Sequence, residues 1–370
     1  MSAKVVIIGA GYAGVSAAKR LARSSAQVTI VNPRAEFVER IRLHQLRAGN
    51  RAATLPLARL LPGSTTFVRD SAESIDAEQR TVTLGSGRVL DFDYLVHAVG
   101  SRSPLEVIPG AAEHAVGVGE LEDVVDARRR LQALSGGSSI SVVGGGLTGV
   151  EVAAELAESG AHAVRLITDE PLAASVSGKG RDYLRAHLGR LGVEVVENTA
   201  VNAVRASEVE LAGGRVLGSD LTVVAAMFVA PPLARDSGLD TDHDGALRVD
   251  RSLVSTGSRA VVGAGDASRI TAAPLRMSCQ AAIPLGVHAA ETVLHSIHGT
   301  VPRPVRPKFT GQCISLGRHA ALWQQASLSD VPVPTIVTGK AAAVVKERIC
   351  ASTVRLGLNP RIKPTYSWSW

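Results

Sequence analysis

The feature that most limits the folds open to this chain occurs twice. Lys4 to Arg20 reads KVVIIGAGYAGVSAAKR, and Ser139 to Leu156 reads SISVVGGGLTGVEVAAEL, with the glycines of the two stretches about 135 positions apart. Each is a β-branched apolar run, then G-x-G-x-x-G, then a small-residue segment of helical period, which predicts strand, tight turn and helix. Gly9 and Gly144 permit the turn, Gly11 and Gly146 let backbone approach a pyrophosphate, and Gly14 and Gly149 let helix pack on strand. The free N–H groups and positive dipole end of each helix then face the phosphates. One such motif is weak; two in frame predict an α/β chain with two Rossmann-like dinucleotide-binding domains.

Length agrees, because 370 residues exceed the roughly 250 to 300 at which one core stops growing. No window offers the ~18 uninterrupted apolar residues of a spanning helix, and no charged segment with a cleavage site precedes Lys4. The expectation is a cytoplasmic protein, peripheral on the inner face of a membrane. Cys279, Cys313 and Cys350 are few and scattered, with no CxxC or CxxxxC pair, which argues against dithiol chemistry. No metal site is expected.

Charge is uneven. Residues 301 to 370 hold ten Lys or Arg against Asp330 and Glu347, a balance of +8, so residues 1 to 300 sum to about −2 of the net +6. Clustered basicity suits either a solvated face or an anionic partner surface. Nucleic acid is not expected, since no recognised nucleic-acid motif accompanies the charge.

Other positions follow from the same layout. The second strand ends at Asn32, where an acidic residue often receives a ribose; its amide oxygen can still accept a hydroxyl. In the segment 34–47, Arg42 is a candidate for a pyrophosphate and His44 for a ring contact, or they are a surface arginine and a satisfied histidine. Thr65 to Leu90 predicts a small antiparallel excursion. The apolar strand DYLVHAVGS runs into Gly100, a strand end where chain passes close under a ligand. In the second unit Thr168 ends the strand, which leaves NADH and NADPH both open, and Met227 takes the place corresponding to Gly100, where it would crowd a nicotinamide. RAVVGAGDASRI brings Gly265 and Asp266 to another strand end. There the carboxylate either accepts from polyol hydroxyls or caps a helix. A helix is expected over 277–290, broken in its second turn by Pro284.

The last 70 residues predict an extended linker (PRPVRPK), a hairpin (FTGQCISLGRHAALWQ) and a helix from Ala341 to Gly357. On that helix Ala341, Val345, Ile349 and Leu356 lie within about 80° of one another, flanked by Lys346, Arg348 and Arg355. With Trp368 and Trp370 they form either an interfacial pattern or a stripe packed on the core or a dimer partner.

Taken in order, the paired glycine units, DYLVHAVGS, GAGDAS and CISLGRHAALWQ followed by a basic helix resemble the two-dinucleotide-fold flavoproteins. The resemblance is to type II NADH dehydrogenases and the ferroptosis-suppressor, apoptosis-inducing-factor-like quinone reductases. It implies FAD on residues 1–108 and 249–303, with Gly9, Gly11, Gly14, Asn32, Gly100 and Asp266 in contact. It implies NADH or NADPH as co-substrate on 109–248, with Gly144, Gly146, Gly149 and Glu151 nearby. It implies a small C-terminal α+β region, 304–370, facing the acceptor and an anionic membrane surface, and a homodimer is compatible with it. The family's A-Q-x-x-x-Q on the flavin-side helix reads here Cys279, Gln280 and Pro284, leaving Gln280 as the flavin-side contact. Segment 34–47 lacks the cysteines of related disulfide reductases. The expected activity is hydride transfer from NAD(P)H to flavin and on to a quinone or other small acceptor. The alternatives are a soluble reductase in a biosynthetic or ferredoxin-type pathway and a flavin- and nucleotide-binding sensor with little turnover.

Overall fold

The computed structural model describes residues 2–43, 53–271, 274–362 and 368; His44 and Trp370 lie outside them. The β-branched runs of the sequence become two five-stranded parallel sheets. The first runs Val261–Gly263, Tyr94–His97, Lys4–Ile8, Gln27–Asn32, Thr65–Arg69, with every pairing parallel. The second runs Ala115–Val116, Leu221–Val224, Ser139–Val143, Ala163–Ile167, Glu194–Val196, again all parallel. Strands such as Val5 to Ile8 and Leu221 to Val224 are buried along their length, which is why they are continuous apolar runs without alternation.

Each glycine-rich turn sits at the carboxyl end of its sheet's middle strand, the place where open α/β sheets bind ligands. Backbone crowding makes these glycines obligatory. Gly9 has φ +97°, and a Cβ there would lie 2.4 Å from the Ala98 carbonyl oxygen. A Cβ on Gly14 or Gly149 would fall 1.8 Å from the carbonyl oxygen of Gly9 or Gly144. A further glycine was not singled out by the sequence pattern. At Gly286 a Cβ would lie 2.1 Å from the Ala13 carbonyl oxygen, so this residue lets the long helix Cys279–Ile297 cross closely over the first helix, Tyr12–Leu21.

Four expectations need correction. Thr65–Arg69 is an edge strand of the first parallel sheet; the antiparallel excursion is Ala72–Asp76, Thr81–Leu84 and Val89–Asp91. Pro284 does not break its helix, which continues from Cys279 to Ile297. That close to the helix start a proline costs only the bond to the Gln280 carbonyl, and tight packing on the first helix offsets the loss. PRPVRPK is irregular but pinned, with Val305 N–H donating to the Arg251 carbonyl at 2.7 Å and Val305 and Phe309 buried. Trp368 is no interfacial ring; it is fully buried, 5.0 Å centroid to centroid from Phe309.

The C-terminal region is the antiparallel sheet Gly311–Ser315, Ala321–Ala326, Pro332–Thr338. The helix Gly339–Ser352 follows and ends in a π-helical turn, Thr353–Gly357. Its orientation inverts the usual amphipathic rule: Ala342, Lys346 and Cys350 are buried, whereas Val344, Val345, Ile349 and Leu356 are exposed. The apolar stripe therefore does not pack on the core.

Candidate functional site

One cavity of about 630 Å³ collects Glu151, Asp266, Gln280 and the three cysteines among the residues singled out by sequence; the motif glycines, Asn32, Arg42, Gly100 and Gly265 are not among its lining residues. The first domain contributes Tyr12, Ser16 and Lys19 from its helix, with Arg40, Ser101 and Asp266. The second contributes Leu147, Thr148, Glu151 and Phe228. The long helix adds Cys279, Gln280, Ile283 and Val287, and the C-terminal region closes it with Cys313, Trp323, Lys346, Ile349, Cys350 and Leu356.

On the first-domain side, Ser101 Oγ donates to an Asp266 carboxylate oxygen at 3.1 Å and Arg40 Nη1 donates to the Ser101 carbonyl at 2.8 Å. Arg40 also lies 6.0 Å from the centre of the Phe228 ring, within cation–π range. The Gln280 amide, oriented so that both its ends are satisfied, donates to the Gly311 carbonyl at 3.0 Å and accepts from Thr310. Gly100, with φ +76°, passes 3.4 Å under the Arg40 guanidinium when measured from its Cβ position.

The fit of these residues to a dinucleotide can be tested on the turn itself. The middle glycines, Gly11 and Gly146, have nothing within 4 Å of a Cβ, so both turns open onto space wide enough for a close backbone approach. Asn32 does not face that space with a free amide. Its oxygen accepts from Ala10 N–H at 3.1 Å and its nitrogen donates to the Arg34 carbonyl at 2.8 Å, which holds the turn in shape. Asp266 keeps a carboxylate on the cavity. The residues fit FAD on the first unit and a pyridine nucleotide on the second.

Arg42 is placed elsewhere. It is buried and forked onto Glu347 at 2.9 and 3.0 Å, with Glu39 at 3.2 Å, so it ties the 34–43 segment to the C-terminal helix while Arg40 takes the cavity-facing position. Glu151 forms an ion pair with Lys346 and accepts from Ser315 N–H at 2.9 Å. Lys346 also donates to the Cys313 carbonyl at 3.2 Å. Burial opposes the Lys346 ammonium, but Glu151 and the nearby thiols outweigh it and its pKa is raised.

The three cysteines, far apart in sequence, all line the cavity, and all are free thiols. Burial, and then like-charge neighbours, push the Cys279 thiol up to about 12, and burial pushes Cys313 up to about 12. These are protonated, poorly nucleophilic thiols.

In the second unit Thr168 is buried beneath the turn, where a Cβ on Gly145 would lie 2.6 Å from it. Met227 has φ +49°, a conformation that favours glycine. Its side chain is 52% exposed and does not line the cavity.

Among the described residues no helix is long and apolar enough to cross a membrane.

Comparison with known proteins agrees with this geometry. A NADH dehydrogenase-like protein of Mycobacterium tuberculosis is 29% identical over 97% of this chain and 93% of its own length. The demethylphylloquinone reductase of Synechocystis is 24% identical over 99% and 97%. Among solved structures, the sulfide:quinone oxidoreductase of Aquifex aeolicus superposes with a TM-score of 0.84 at 21% identity, over 99% of this chain and 94% of that one; this likeness is one of fold. The pattern described as pyridine nucleotide-disulphide oxidoreductase matches residues 3–289, and the chain belongs to that family.

Proposed function

We propose that this FAD-dependent NAD(P)H oxidoreductase passes its electrons to a quinone-type acceptor held in the cavity. The observation that carries the reading is the composition of that cavity. It joins the Asp266–Ser101 side of the first domain to Glu151 and Phe228 of the second, and it continues between the first helix, the long helix and the C-terminal helix to the exposed Ile349 and Leu356 of the apolar stripe. An apolar ring thus has a walled route from a greasy outer face to the place where the two domains meet.

FAD, when bound, accepts the reducing equivalents of NAD(P)H and hands them to the acceptor. The chain supplies the rest. Gly9, Gly11 and Gly14 with the N-terminus of the first helix hold pyrophosphate, Gly100 and Gly265 allow close approach, and Asp266 accepts from polyol hydroxyls. Gly144, Gly146 and Gly149 do the same for the nicotinamide nucleotide. The domain limits that serve this division are 1–108 with 249–303, 109–248, and 304–370. Glu151 and Lys346 are a buried acid–base pair at the cavity wall, suited to hold a proton for the reduced acceptor. Gln280 orients the Thr310–Gly311 backbone beside that wall.

The inverted C-terminal helix supports docking on an anionic membrane, because its exposed valines and Ile349 stand beside Arg348 and Arg355. The demethylphylloquinone reductase among the relatives acts on a quinone by name, which favours the same acceptor class. The three protonated thiols weigh against thiol chemistry in its place.

Anaerobic titration of the yellow protein with NADH and with NADPH tests the donor, and menadione reduction tests the acceptor. Bleaching without menadione-dependent turnover would overturn the quinone reading. Flotation with anionic liposomes tests docking; a protein that stays unbound at low salt and sediments as a dimer would assign the apolar stripe to self-association.

A further inference from the structure

Three positions on the first helix, Tyr12, Ser16 and Lys19, are polar, line the cavity, and are only 7%, 2% and 2% exposed. Their i, i+4, i+7 spacing sets them on one face, reaching about 10 Å from Tyr12 to Lys19 at 1.5 Å per residue. Among the described residues the Ser16 hydroxyl has no hydrogen-bond partner, and for the Tyr12 hydroxyl only the Ile41 backbone is within hydrogen-bonding reach. The same cavity is also lined by the apolar Ile283, Val287 and Leu356.

Lys19 is the unusual member. Its Nζ donates to the Gly357 carbonyl at 2.6 Å, which engages one of three N–H groups. It makes no ion pair among the described residues, and the charge acting on it is the like-signed Arg23; burial first and Arg23 second lower its pKa to about 8. The contrast with Lys346 is direct, since that buried ammonium has Glu151 beside it. Taking a cation out of water without an opposite charge is costly, and a cavity is the one place where a visiting molecule can bring that charge.

We infer that Lys19 is the counter-charge for an anionic acceptor: the cavity takes a quinoid ring bearing an ionised oxygen, which meets the Lys19 ammonium while Ser16 and Tyr12 donate along the same edge. Lys19 is then a specificity-determining residue. The inference rests on the quinone reading above and narrows it, since neutral quinones satisfy the apolar wall but leave the ammonium unpaired.

The test is isothermal titration of the oxidised holoenzyme at pH 7 with 2-hydroxy-1,4-naphthoquinone, an anion at that pH, and with its neutral methyl ether. The wild type is expected to bind the anion about tenfold more tightly than the ether, the ratio typical of one added charged hydrogen bond. Lys19→Met should erase that ratio and Lys19→Arg should keep it. Should Lys19→Met fail to retain FAD, Lys19→Gln, which preserves a donor to Gly357, takes its place. Equal affinities in the wild type, or a ratio that survives the neutral substitution, would overturn the inference. Menadione turnover measured alongside separates the two readings: its absence sinks the quinone acceptor itself, whereas intact turnover without the ratio sinks only the role of Lys19.

Discussion

The two glycine-rich units are near copies in backbone and differ in what their helices carry. Gly14 and Gly149 make the same 1.8 Å approach to Gly9 and Gly144, and Gly100 and Met227, each three residues beyond its strand, share positive φ. Counted from the first glycine, Tyr12, Ser16 and Lys19 correspond to Leu147, Glu151 and Ala154. The first helix thus offers the cavity two hydroxyls and a cation with no ion-pair partner among the described residues. The second offers Leu147, Thr148 and a carboxylate already neutralised by Lys346. The shared part is what a pyrophosphate requires of any backbone; the divergent part is what each domain contributes to the reaction space between them.

The largest effect should come from breaking one copy at a time. Gly14→Ala puts a methyl into the Gly9 carbonyl, and we expect a loss of about 3 kcal/mol together with a colourless protein. Gly149→Ala should stay yellow but lose bleaching by NADH by at least ~100-fold, the factor equivalent to about 2.7 kcal/mol. Absorbance of the purified variants and their rate of reduction check both. If either variant loses both cofactors, the two cradles are not independent units.

This difference also explains how much could be read from the sequence. The glycine units, their strands and the strand-end residues Gly100 and Asp266 are local patterns, set by turn geometry and β-branched runs within about 20 residues, and they occupy the places expected of them. The cavity is not local. Glu151 and Lys346 lie 195 positions apart, and Cys279, Cys313 and Cys350 come to line one cavity only because the C-terminal region folds back over the long helix. Lys19 reads as an ordinary basic residue in a helix's last turn, and nothing short of tertiary packing distinguishes it from Arg20, which is paired with Glu291 at 2.6 Å. The C-terminal helix was legible in its stripe but not in its orientation, because that depended on Glu151 demanding a cation inside.

Smaller substitutions sharpen the contrast in the second unit. Thr168→Glu places a carboxylate at the strand end, where it accepts from a 2′-hydroxyl and repels a 2′-phosphate. The ratio of kcat/KM for NADH over NADPH should rise about tenfold, and an unchanged ratio would mean that Thr168 does not sit beside the ribose. Met227→Gly releases a residue from the left-handed region and should stabilise the protein by about 1 kcal/mol, while Gly100→Met should cost about as much. Urea unfolding of the pair gives the comparison; equal shifts of the same sign would show that the two strand ends are not equivalent.

The smallest and most specific effect concerns the helix position that is Lys19 in one unit and Ala154 in the other. The folded-state pKa of Lys19, about 8, is below its ordinary value of 10.5. Below pH 8 both folded and unfolded chains hold the proton, and the folded state bears the whole burial penalty. Between about 8 and 10.5 the folded chain releases the proton first, so stability attributable to Lys19 rises with pH. The unfolding free energy of the wild type minus that of Lys19→Met should therefore become more positive between pH 7 and pH 10. The thiols, with pKa values shifted the other way, titrate equally in both proteins and cancel. A wild-type-minus-variant difference that stays flat, or becomes more negative, would mean that the ammonium has a counter-charge in the folded chain, and the asymmetry between the two helices would lose its electrostatic basis.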